Sequence, residues 1–536
     1  MKYFRELRPT FADRTDWALP AVLRQHAAAR PDAVWLDAPE EGRTWTFAQM
    51  LAAAEAVGGG LIEAGAVPGE RVVIVAGNSS RFVRSWLGCA VAGLVEVPIS
   101  TAYQQEVLAD QVGTVKARFA IVDDVYAERF AEITEAAQDI ERFWVIDTGR
   151  LEDAIRVLNG AGWPAAPWDD LEAPRDVDLP VVSPRDLGAI MFTSGVGGPA
   201  KGVAMPHAQM YFFADLSAAL TRLTPADVWL AVTPLFHVNA RFMAAYPTLV
   251  TGARFVLRSR FGAGEWLGQI RESLVTVTNV IGVMMDFVWK QPPRPDDADN
   301  TLRCVLAVPT AAALVEPMKA RFGIEAFVEV FGLTEIGAPI ATPYGEDRPP
   351  GACGLQADEW FEVALVDPDT DEEVDTGELV VRPKVPFICG DGYFGRPDRT
   401  VEAWRNLWFH TGDVLRRDAD GWFYFVDRVR ETLRRSGENF SPGEVEAVIL
   451  AHPAVLECCV VAVPGEDEVM AYLIVGDEVS PEEVWAWCDS RIPNFAVPRY
   501  LRFVADLPKT PSQRVQRNTL RAAGVTPDTH DRVSMG

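Results

Sequence analysis

The sequence predicts an α/β protein followed by a β-rich region and a small C-terminal α/β region. Short β-branched runs such as 71–76 and 119–123 end in turn or acidic residues. Between such runs lie Ala- and Leu-rich stretches at helical spacing, for example 47–56 and 85–94. Alternation of strands and helices is typical of mainly parallel sheets that are covered on both faces.

The pattern changes after about Trp360. Short apolar runs at 361–367, 378–382 and 422–427 are separated by turn residues, which predicts a small antiparallel or barrel-like sheet. A charged segment, 427–437, follows and is interpreted as a domain boundary; the alternative is a solvated surface loop.

Beyond this boundary the pattern predicts four more elements. They are a helix, two strands and a second helix, at 442–450, 457–463, 469–475 and 481–491. Upstream, the segment 164–184 is rich in Pro and Asp and is interpreted as a connection.

Composition limits the function classes. The 536 residues carry 76 acidic and 50 basic side chains, a net charge of −26, which argues against a protein that wraps nucleic acid. The seven cysteines form no C-x-x-C pair and the six histidines no H-x-x-x-H, so a zinc site is not expected. The first residues lack the apolar core of a signal peptide, and the most apolar window, 274–289, is too short to span a membrane. We therefore expect a soluble cytoplasmic protein, with no membrane partner and no nucleic acid.

The strongest local motif is Phe192-Thr-Ser-Gly-Val-Gly-Gly-Pro-Ala-Lys-Gly202, which directly follows an apolar run. Small residues permit tight turns, so that backbone N–H groups converge on phosphate oxygens while hydroxyls and one Lys add donors. Lys201 is followed by Gly202, so this is not the P-loop of nucleoside triphosphatases. Alone, the motif is also compatible with a turn between elements.

Four further segments carry polar residues at turns. In Phe331-Gly-Leu-Thr-Glu335 an aromatic ring could stack on a base and a carboxylate could hold Mg²⁺. In Trp408-Phe-His-Thr-Gly-Asp413 a carboxylate could accept the hydroxyls of a ribose. In 434–446 the pair Ser441 and Glu444 predicts a capping box, a structural device. The fifth segment is 507–517.

Taken together, the order and spacing of the five segments resemble the core motifs of the adenylate-forming superfamily. Its members include acyl- and aryl-CoA synthetases, adenylation domains of peptide synthetases and luciferases. The resemblance runs from about residue 20 to the end. Within the superfamily, 234–240 and 523–532 are similar to the carnitine/crotonobetaine-CoA ligase-like branch.

The resemblance implies a fold, domains and a reaction. A large N-terminal part, 1–426, holds two α/β subdomains and a small β-barrel; residues 427–430 form a hinge; and 431–536 form a mobile, smaller α+β domain. The implied activity is an ATP-dependent, AMP-forming ligase that activates an acid as its AMP anhydride, releases pyrophosphate and passes the acyl group to CoA. The expected partners are Mg²⁺, ATP, a small-molecule acid, CoA or another acceptor, and a second copy of the chain in a homodimer.

The resemblance also implies residue roles. The phosphates would be held by Thr193, Ser194, Gly195, Gly198 and Lys201. Adenine would lie near Phe331 and Gly332, the α-phosphate near Thr334, and Mg²⁺ on Glu335. Asp413 and Arg428 would hold the ribose, and Arg430 would be the pivot. Arg514 stands at the position of the usual catalytic Lys.

His237 matches the residue that lines the acyl pocket and gates the thiol tunnel of the superfamily; a packed His bonded to backbone is an equal alternative. The other candidates for the acid pocket are Asn239, Arg241, Met284, Met285 and Phe287. Arg241 could neutralise a second anionic group on the substrate, although a surface or interdomain ion pair is favoured. The Met and Phe spacing also fits core packing.

The chain departs from the family pattern at three places. Val196 and Gly197 replace two hydroxyl residues, which removes two potential hydrogen-bond donors to phosphate worth about 1.5–3 kcal/mol each. Ala200 replaces a Pro. A Gly-rich stretch is replaced by 308–313, which should narrow the pocket. Gln513-Arg514 stands where Gly-Lys is usual.

Three interpretations of Arg514 remain open. Arg514 does the work of the Lys, which we favour because the charge survives; adenylation is impaired and the chain is specialised for thiol transfer; or the acid is an unusual one. Two other functions also remain open: a diazotase-like enzyme that adenylates nitrite for reaction with an aryl amine, and an inactive relative that binds AMP or an acyl ligand.

Overall fold

The computed structural model describes residues 9–193, 200–367, 370–428, 433–435, 438–440, 442–476, 478–508, 515 and 517–534. The chain divides into two compact units. The larger comprises 1–101, 112–191 and 202–427, and the smaller comprises 102–111, 192–201 and 428–536. The division falls at the start of the charged segment. Residues 429 and 430 of the expected hinge lie outside the described residues, and the three domain boundaries stay a prediction.

Strands occupy much of the described chain. In chain order they are β1 (Val34–Ala38), β2 (Arg43–Thr46), β3 (Arg71–Val75), β4 (Val95–Pro98), β5 (Phe119–Asp123), β6 (Arg142–Ile146), β7 (Ala165–Pro167), β8 (Leu187–Thr193), β9 (Lys201–Pro206), β10 (Val228–Ala231), β11 (Arg254–Leu257), β12 (Val277–Val280), β13 (Cys304–Ala307), β14 (Ala326–Val328), β15 (Val330–Leu333), β16 (Gly337–Ala341), β17 (Ala352–Gln356), β18 (Phe361–Val366), β19 (Thr376–Pro383), β20 (Phe409–Arg417), β21 (Phe423–Arg428), β22 (Leu433–Arg435), β23 (Glu438–Phe440), β24 (Val455–Ala462), β25 (Val469–Val475), β26 (Tyr500–Phe503) and β27 (His530–Asp531).

Helices alternate with the strands over most of the chain. They are α1 (Leu19–Ala29), α2 (Phe47–Glu63), α3 (Ser80–Val91), α4 (Gln105–Val115), α5 (Ala127–Ala131), α6 (Leu151–Gly160), α7 (His207–Leu220), α8 (Val238–Ala240), α9 (Tyr246–Thr251), α10 (Trp266–Ser273), α11 (Gly282–Trp289), α12 (Val315–Phe322), α13 (Pro397–Ala403), α14 (Pro442–Leu450), α15 (Pro481–Asp489) and α16 (Arg517–Ala523). A π-helical turn, Arg241–Ala245, joins α8 to α9.

The described residues form three seven-stranded sheets. The first has the order β14-β13-β12-β10-β11-β1-β2 and the second β7-β6-β5-β3-β4-β8-β9. The pairings from β14 to β1 and from β7 to β8 are parallel, and β2 runs antiparallel to β1. Every residue of β4 and β5 is buried, as expected for strands covered on both faces. The predicted α/β class is confirmed.

The third sheet is antiparallel in its described pairings, with the order β15-β16-β17-β21-β20-β19-β18. The sequence predicts such a sheet after about Trp360, but it begins at Val330. The early strands escape prediction because β15 and β16 are joined without a recognisable turn pair. Their close approach needs Gly337, whose φ is +77°, in the left-handed region.

The C-terminal residues form an α+β arrangement. Strands β24, β25, β26 and β27 make one sheet in that order, and β22 pairs with β23. The predicted helix 442–450 and strand 469–475 are confirmed residue for residue. Ser441 lies outside the described residues, so its capping box stays a prediction.

The interpretation of 164–184 as a connection is wrong over its first part. There β7 pairs in parallel with β6, and the turn after it buries Trp168 and Leu171. Pro and Asp mask this short edge strand in the sequence. Among the described residues, every helix is too short or too polar to cross a bilayer.

Helices α2 and α3 approach closely through glycines. A Cβ atom placed on Gly88 would lie 2.4 Å from Cγ1 of Val57, and one on Gly58 would lie 2.8 Å from the Gly88 carbonyl oxygen. The close approach leaves no room for a methyl group at either position.

We therefore expect Gly88→Ala to lower the free energy of unfolding by about 1–3 kcal/mol through overpacking. Gly268→Ala in α10 is the matched control, because a Cβ atom there meets nothing within 4 Å. That variant should gain about 0.5 kcal/mol from helix propensity. Urea unfolding measures both values, and equal stability of the two variants would contradict the packing account.

Candidate functional site

Two of the phosphate-binding candidates, Thr193 and Lys201, lie at the end of β8 and at the start of β9. Thr193 ends β8, and its Oγ1 donates to the carbonyl oxygen of Lys201, the first residue of β9, at 3.4 Å. Ser194, Gly195 and Gly198 lie outside the described residues, as do Val196 and Gly197. Their predicted contacts with phosphate stay a prediction.

A loop segment, residues 390–394, pairs with strand β9 through backbone hydrogen bonds. Ala204 N–H donates to the Gly392 carbonyl at 2.9 Å, and Phe394 N–H donates to the Gly202 carbonyl at 2.8 Å. Val203 forms an isolated antiparallel bridge with Tyr393. The strand that begins at Lys201 is therefore fixed to this loop segment by backbone hydrogen bonds.

The same loop segment holds Glu335. Gly390 N–H donates to the Glu335 carbonyl at 2.8 Å, and the Tyr393 hydroxyl donates to Glu335 Oε1 at 2.9 Å. Burial and the Glu335 carboxylate raise the pKa of Tyr393, so its phenol stays a hydrogen-bond donor. On the other side, Gln209 Nε2 from α7 donates to the Thr334 carbonyl at 2.7 Å. The carbonyls of Thr334 and Glu335 and the Glu335 carboxylate are thus all held by hydrogen bonds.

Phe331 and Gly332 lie on β15. The Phe331 ring is partly buried and lies 6.5 Å, centroid to centroid, from the ring of Phe425, which is 46% exposed. A Cβ atom on Gly332 would lie 2.0 Å from the Gly337 carbonyl oxygen. The β15–β16 hairpin therefore requires glycine at 332, whatever its part in nucleotide binding.

Asp413 lies on β20 of the same sheet and is 3% exposed. Its N–H donates to Thr411 Oγ1 at 3.1 Å, and Thr411 Oγ1 donates to the Leu379 carbonyl at 2.7 Å. Arg428 ends β21, the strand between β17 and β20, and its side chain lies outside the described residues.

A buried carboxylate, Glu378, organises the stretch of β20 just before Asp413, where the register with β19 shifts. It accepts from Gly412 N–H at 2.9 Å and pairs with His410 Nδ1 at 2.9 Å. Burial opposes its ionisation, but the bonds from His410 and Gly412 outweigh burial and hold the pKa of Glu378 below its ordinary value. Glu378 therefore stays charged and fixes the backbone on which Asp413 sits.

His237 precedes α8, and its ring lies against Phe236 at 4.6 Å. Two residues later, Asn239 Oδ1 accepts from Thr233 Oγ1 at 3.1 Å and from the side-chain amide of Asn279 on β12. Both alternatives for His237 itself remain open.

The other acid-pocket candidates separate in the structure. Met284 and Met285 are buried in the hydrophobic core around β10 and β13, as the packing alternative predicts, whereas Phe287 is 46% exposed. Arg241 forms an ion pair with Glu96, and both side chains are buried. An ion pair is confirmed, but the expected location at the surface or between domains is wrong, because both residues are buried within the larger unit. The idea that Arg241 neutralises a substrate anion is wrong, because Glu96 already compensates its charge.

The donor set around Glu335 fits Mg²⁺ bound together with a nucleotide. Carboxylate and hydroxyl oxygens are the ligands that Mg²⁺ prefers, and Mg²⁺ usually takes one or two carboxylates plus phosphate oxygens. Within the described ranges, no cluster of three or more His, Cys, Asp or Glu side chains could hold a metal by itself. Glu335 would hold the ion, which would then neutralise phosphate charge. Arg514 lies outside the described residues.

Sequence reasoning missed Gln209, Glu378 and Tyr393. Each of them positions a predicted site residue rather than carrying a predicted role. Glu378 left a signal, because a carboxylate lies inside the apolar run 378–381 and a buried carboxylate needs partners. The other two gave no comparable signal.

Comparisons with known proteins identify the family of the chain. The model of the AMP-binding enzyme family matches residues 23–387, and that of the AMP-binding enzyme C-terminal domain matches 444–514. A crotonobetaine/carnitine–CoA ligase of Salmonella arizonae is 30% identical, over 84% of this chain and 88% of the relative. A sulfoacetate–CoA ligase of Cupriavidus necator is 29% identical, over 93% and 96%.

Among solved structures, o-succinylbenzoate CoA synthetase from Bacillus subtilis superposes with a TM-score of 0.79 at 22% identity, covering 95% of this chain and 99% of that one. It supports the fold. The resemblance inferred from the five motifs is confirmed, as is the predicted class of AMP-forming ligase. The chain belongs to the AMP-binding enzyme family.

Proposed function

We propose that this chain activates an acid with Mg·ATP, releases pyrophosphate, and transfers the acyl group from AMP to CoA. The observation that carries the proposal is the fixed Thr334–Glu335 pair, whose carbonyls and carboxylate are all engaged by neighbouring residues. The family match and the CoA-ligase relatives support the same reaction class.

The proposed roles follow from the matches of these residues to the family motifs. Glu335 holds Mg²⁺, and Thr334 donates to the α-phosphate. Phe331 and Gly332 contact adenine, and Phe425 widens the aromatic surface beside Phe331. Asp413 accepts hydrogen bonds from the ribose hydroxyls, and Arg428 also holds the ribose. The phosphate loop contributes Thr193, Ser194, Gly195, Gly198 and Lys201.

In the first half-reaction a carboxylate oxygen attacks the α-phosphorus and pyrophosphate leaves; in the second, a thiolate attacks the acyl carbon and AMP leaves. Catalysis rests on positioning and on neutralisation of charge. Arg514 supplies the cation between acid and α-phosphate, His237 borders the acid, and the hinge at 427–430 separates 1–426 from the mobile C-terminal part.

AMP and pyrophosphate release by the purified protein tests this proposal. The acids offered are carnitine, crotonobetaine, sulfoacetate, o-succinylbenzoate and a panel of aliphatic and aryl acids, each with and without CoA. The proposal expects AMP release that needs one acid and CoA together. Release with nitrite and an aryl amine, independent of CoA, would establish the diazotase reaction instead, and silence with every acid would favour the inactive relative.

Removal of the Tyr393 hydroxyl should weaken Mg²⁺ binding. We expect Tyr393→Phe to raise the Mg²⁺ concentration for half-maximal activity about 10-fold, because the Glu335 carboxylate loses the bond that orients it. Tyr344→Phe is the matched control, since the Tyr344 hydroxyl donates to Glu325 at 3.0 Å, away from Thr334–Glu335. A Mg²⁺ titration of initial rates distinguishes the two variants, and an equal response would refute the orienting role.

Neutralisation of Glu378 should weaken nucleotide binding. We expect Glu378→Gln to raise the KM for ATP about 10-fold, because a bond to a charged group is worth about 1.5–3 kcal/mol and the stretch of β20 before Asp413 loosens. Glu362→Gln, which breaks the exposed pair with Arg382 on neighbouring strands, is the control and should leave the KM unchanged. A normal KM for ATP in Glu378→Gln would count against the assignment of Asp413 to the nucleotide.

A further inference from the structure

The ion pair between Arg241 and Glu96 is deeply internal. The two side chains are 0% and 1% exposed, and Arg241 Nη1 donates to Glu96 Oε1. The rings of Phe82, Trp86 and Phe242 surround the guanidinium, with centroids 4.8–5.9 Å from its central carbon. No solvent reaches this charge pair.

A buried ion pair costs desolvation free energy that apolar side chains in the same core would not. Nε of Arg241 and Oε2 of Glu96 are buried without a hydrogen-bond partner among the described residues. Burial also raises the pKa of Glu96 to about 7 in spite of Arg241. Apolar residues of similar volume usually stabilise such a position as well or better. Stability alone therefore does not explain the pair.

The location of the pair is specific. Arg241 opens the π-helical turn that follows α8, and its N–H reaches back to the His237 carbonyl at 3.5 Å. π-Helical turns are rare and frequently occur at functional sites. Glu96 lies on β4 opposite Ala189 of β8, and Arg241 Nη2 also donates to Met191 Sδ on β8 at 2.7 Å. The guanidinium thus attaches the turn to the second sheet.

Asn239 attaches the same segment to the first sheet. Its side chain bonds to Thr233 and to Asn279 on β12, a strand of the first sheet. Asn279 is in turn held by the indole N–H of Trp229 on β10, at 3.0 Å. Between His237 and Arg241, successive polar side chains are therefore anchored to two different sheets.

We propose that Arg241 and Glu96 are positioning residues. They fix the segment 237–241 between the two mainly parallel sheets and so set the shape of the acid site. The proposal rests on the proposed function for its effect on the acid, but not for its effect on His237. The internal charge pair is retained for geometry, since the planar guanidinium reaches Glu96 and Met191 at once.

The test replaces both charges together, so that no unpaired charge is left in the core. We expect Glu96→Met/Arg241→Met to fold with an unchanged or higher Tm, to raise the KM for the acid at least 10-fold, and to leave the KM for ATP within 2-fold. Arg241→Lys keeps the charge without the planar fork, and its KM for the acid should lie between those of the wild type and the double variant. The matched control is Arg84→Met/Glu172→Met, because Arg84 is also buried and paired but contacts Ser80 and Glu172; it should leave both KM values unchanged.

A measurement independent of turnover accompanies the kinetics. In protein labelled with [¹³Cε1]histidine, the resonance of His237, assigned with His237→Asn, should move in the Glu96/Arg241 variant and stay in the Arg84/Glu172 variant. An unmoved His237 resonance overturns the proposal whatever the activity, and a moved resonance with an unchanged KM for the acid overturns the link to the acid site. Failure of the proposed function would appear differently, as an absence of acid-dependent AMP release in the wild-type protein.

Discussion

The hydrogen bonds on Thr334 and Glu335 are the constraint on which the site depends. Gln209 holds the carbonyl of Thr334 from α7, while Gly390 and Tyr393 hold the carbonyl and carboxylate of Glu335 from a loop segment. That loop segment is itself hydrogen-bonded along β9, the strand that begins at Lys201. A single set of bonds thus links α7, the β15–β16 hairpin and β9. A carboxylate fixed in this way needs little reorganisation when a cation and a triphosphate arrive, and such preorganisation is a large source of catalytic power.

Buried carboxylates serve as organisers elsewhere in the larger unit. Glu378 stays ionised through His410 and Gly412, whereas burial raises the pKa of Glu96 even though Arg241 faces it. Glu378 is bonded to His410, Gly412 and Arg405, whereas the described bond to Glu96 comes from Arg241, so burial prevails at Glu96. Glu378 therefore stabilises the stretch of β20 that it holds, while the Glu96–Arg241 pair positions the segment 237–241 at a cost in stability.

The sequence carried much of the fold and part of the site. Strands such as β5 and helices such as α2 were predictable because their apolar periodicity is strong. The strand β7 and the early start of the third sheet were not, since both depend on pairing with residues distant in the chain. Motif resemblance indicated Glu335 and Asp413, but Tyr393 and Gln209 act through contacts with partners 58 and 125 residues away in the sequence. Local pattern has no access to such contacts. For Arg241 the sequence favoured an ion pair, but only the fold identifies Glu96, 145 residues away, as the partner.

The central claim is that an acid oxygen attacks the α-phosphorus of ATP. The most direct test is a single turnover with the acid that supports activity, labelled with ¹⁸O in both carboxylate oxygens, followed by mass spectrometry of the AMP. Acyl-adenylate formation predicts one ¹⁸O atom in the phosphate of each AMP, because the bridging oxygen leaves with AMP when the thiol attacks. AMP that carries no label would contradict the proposed reaction.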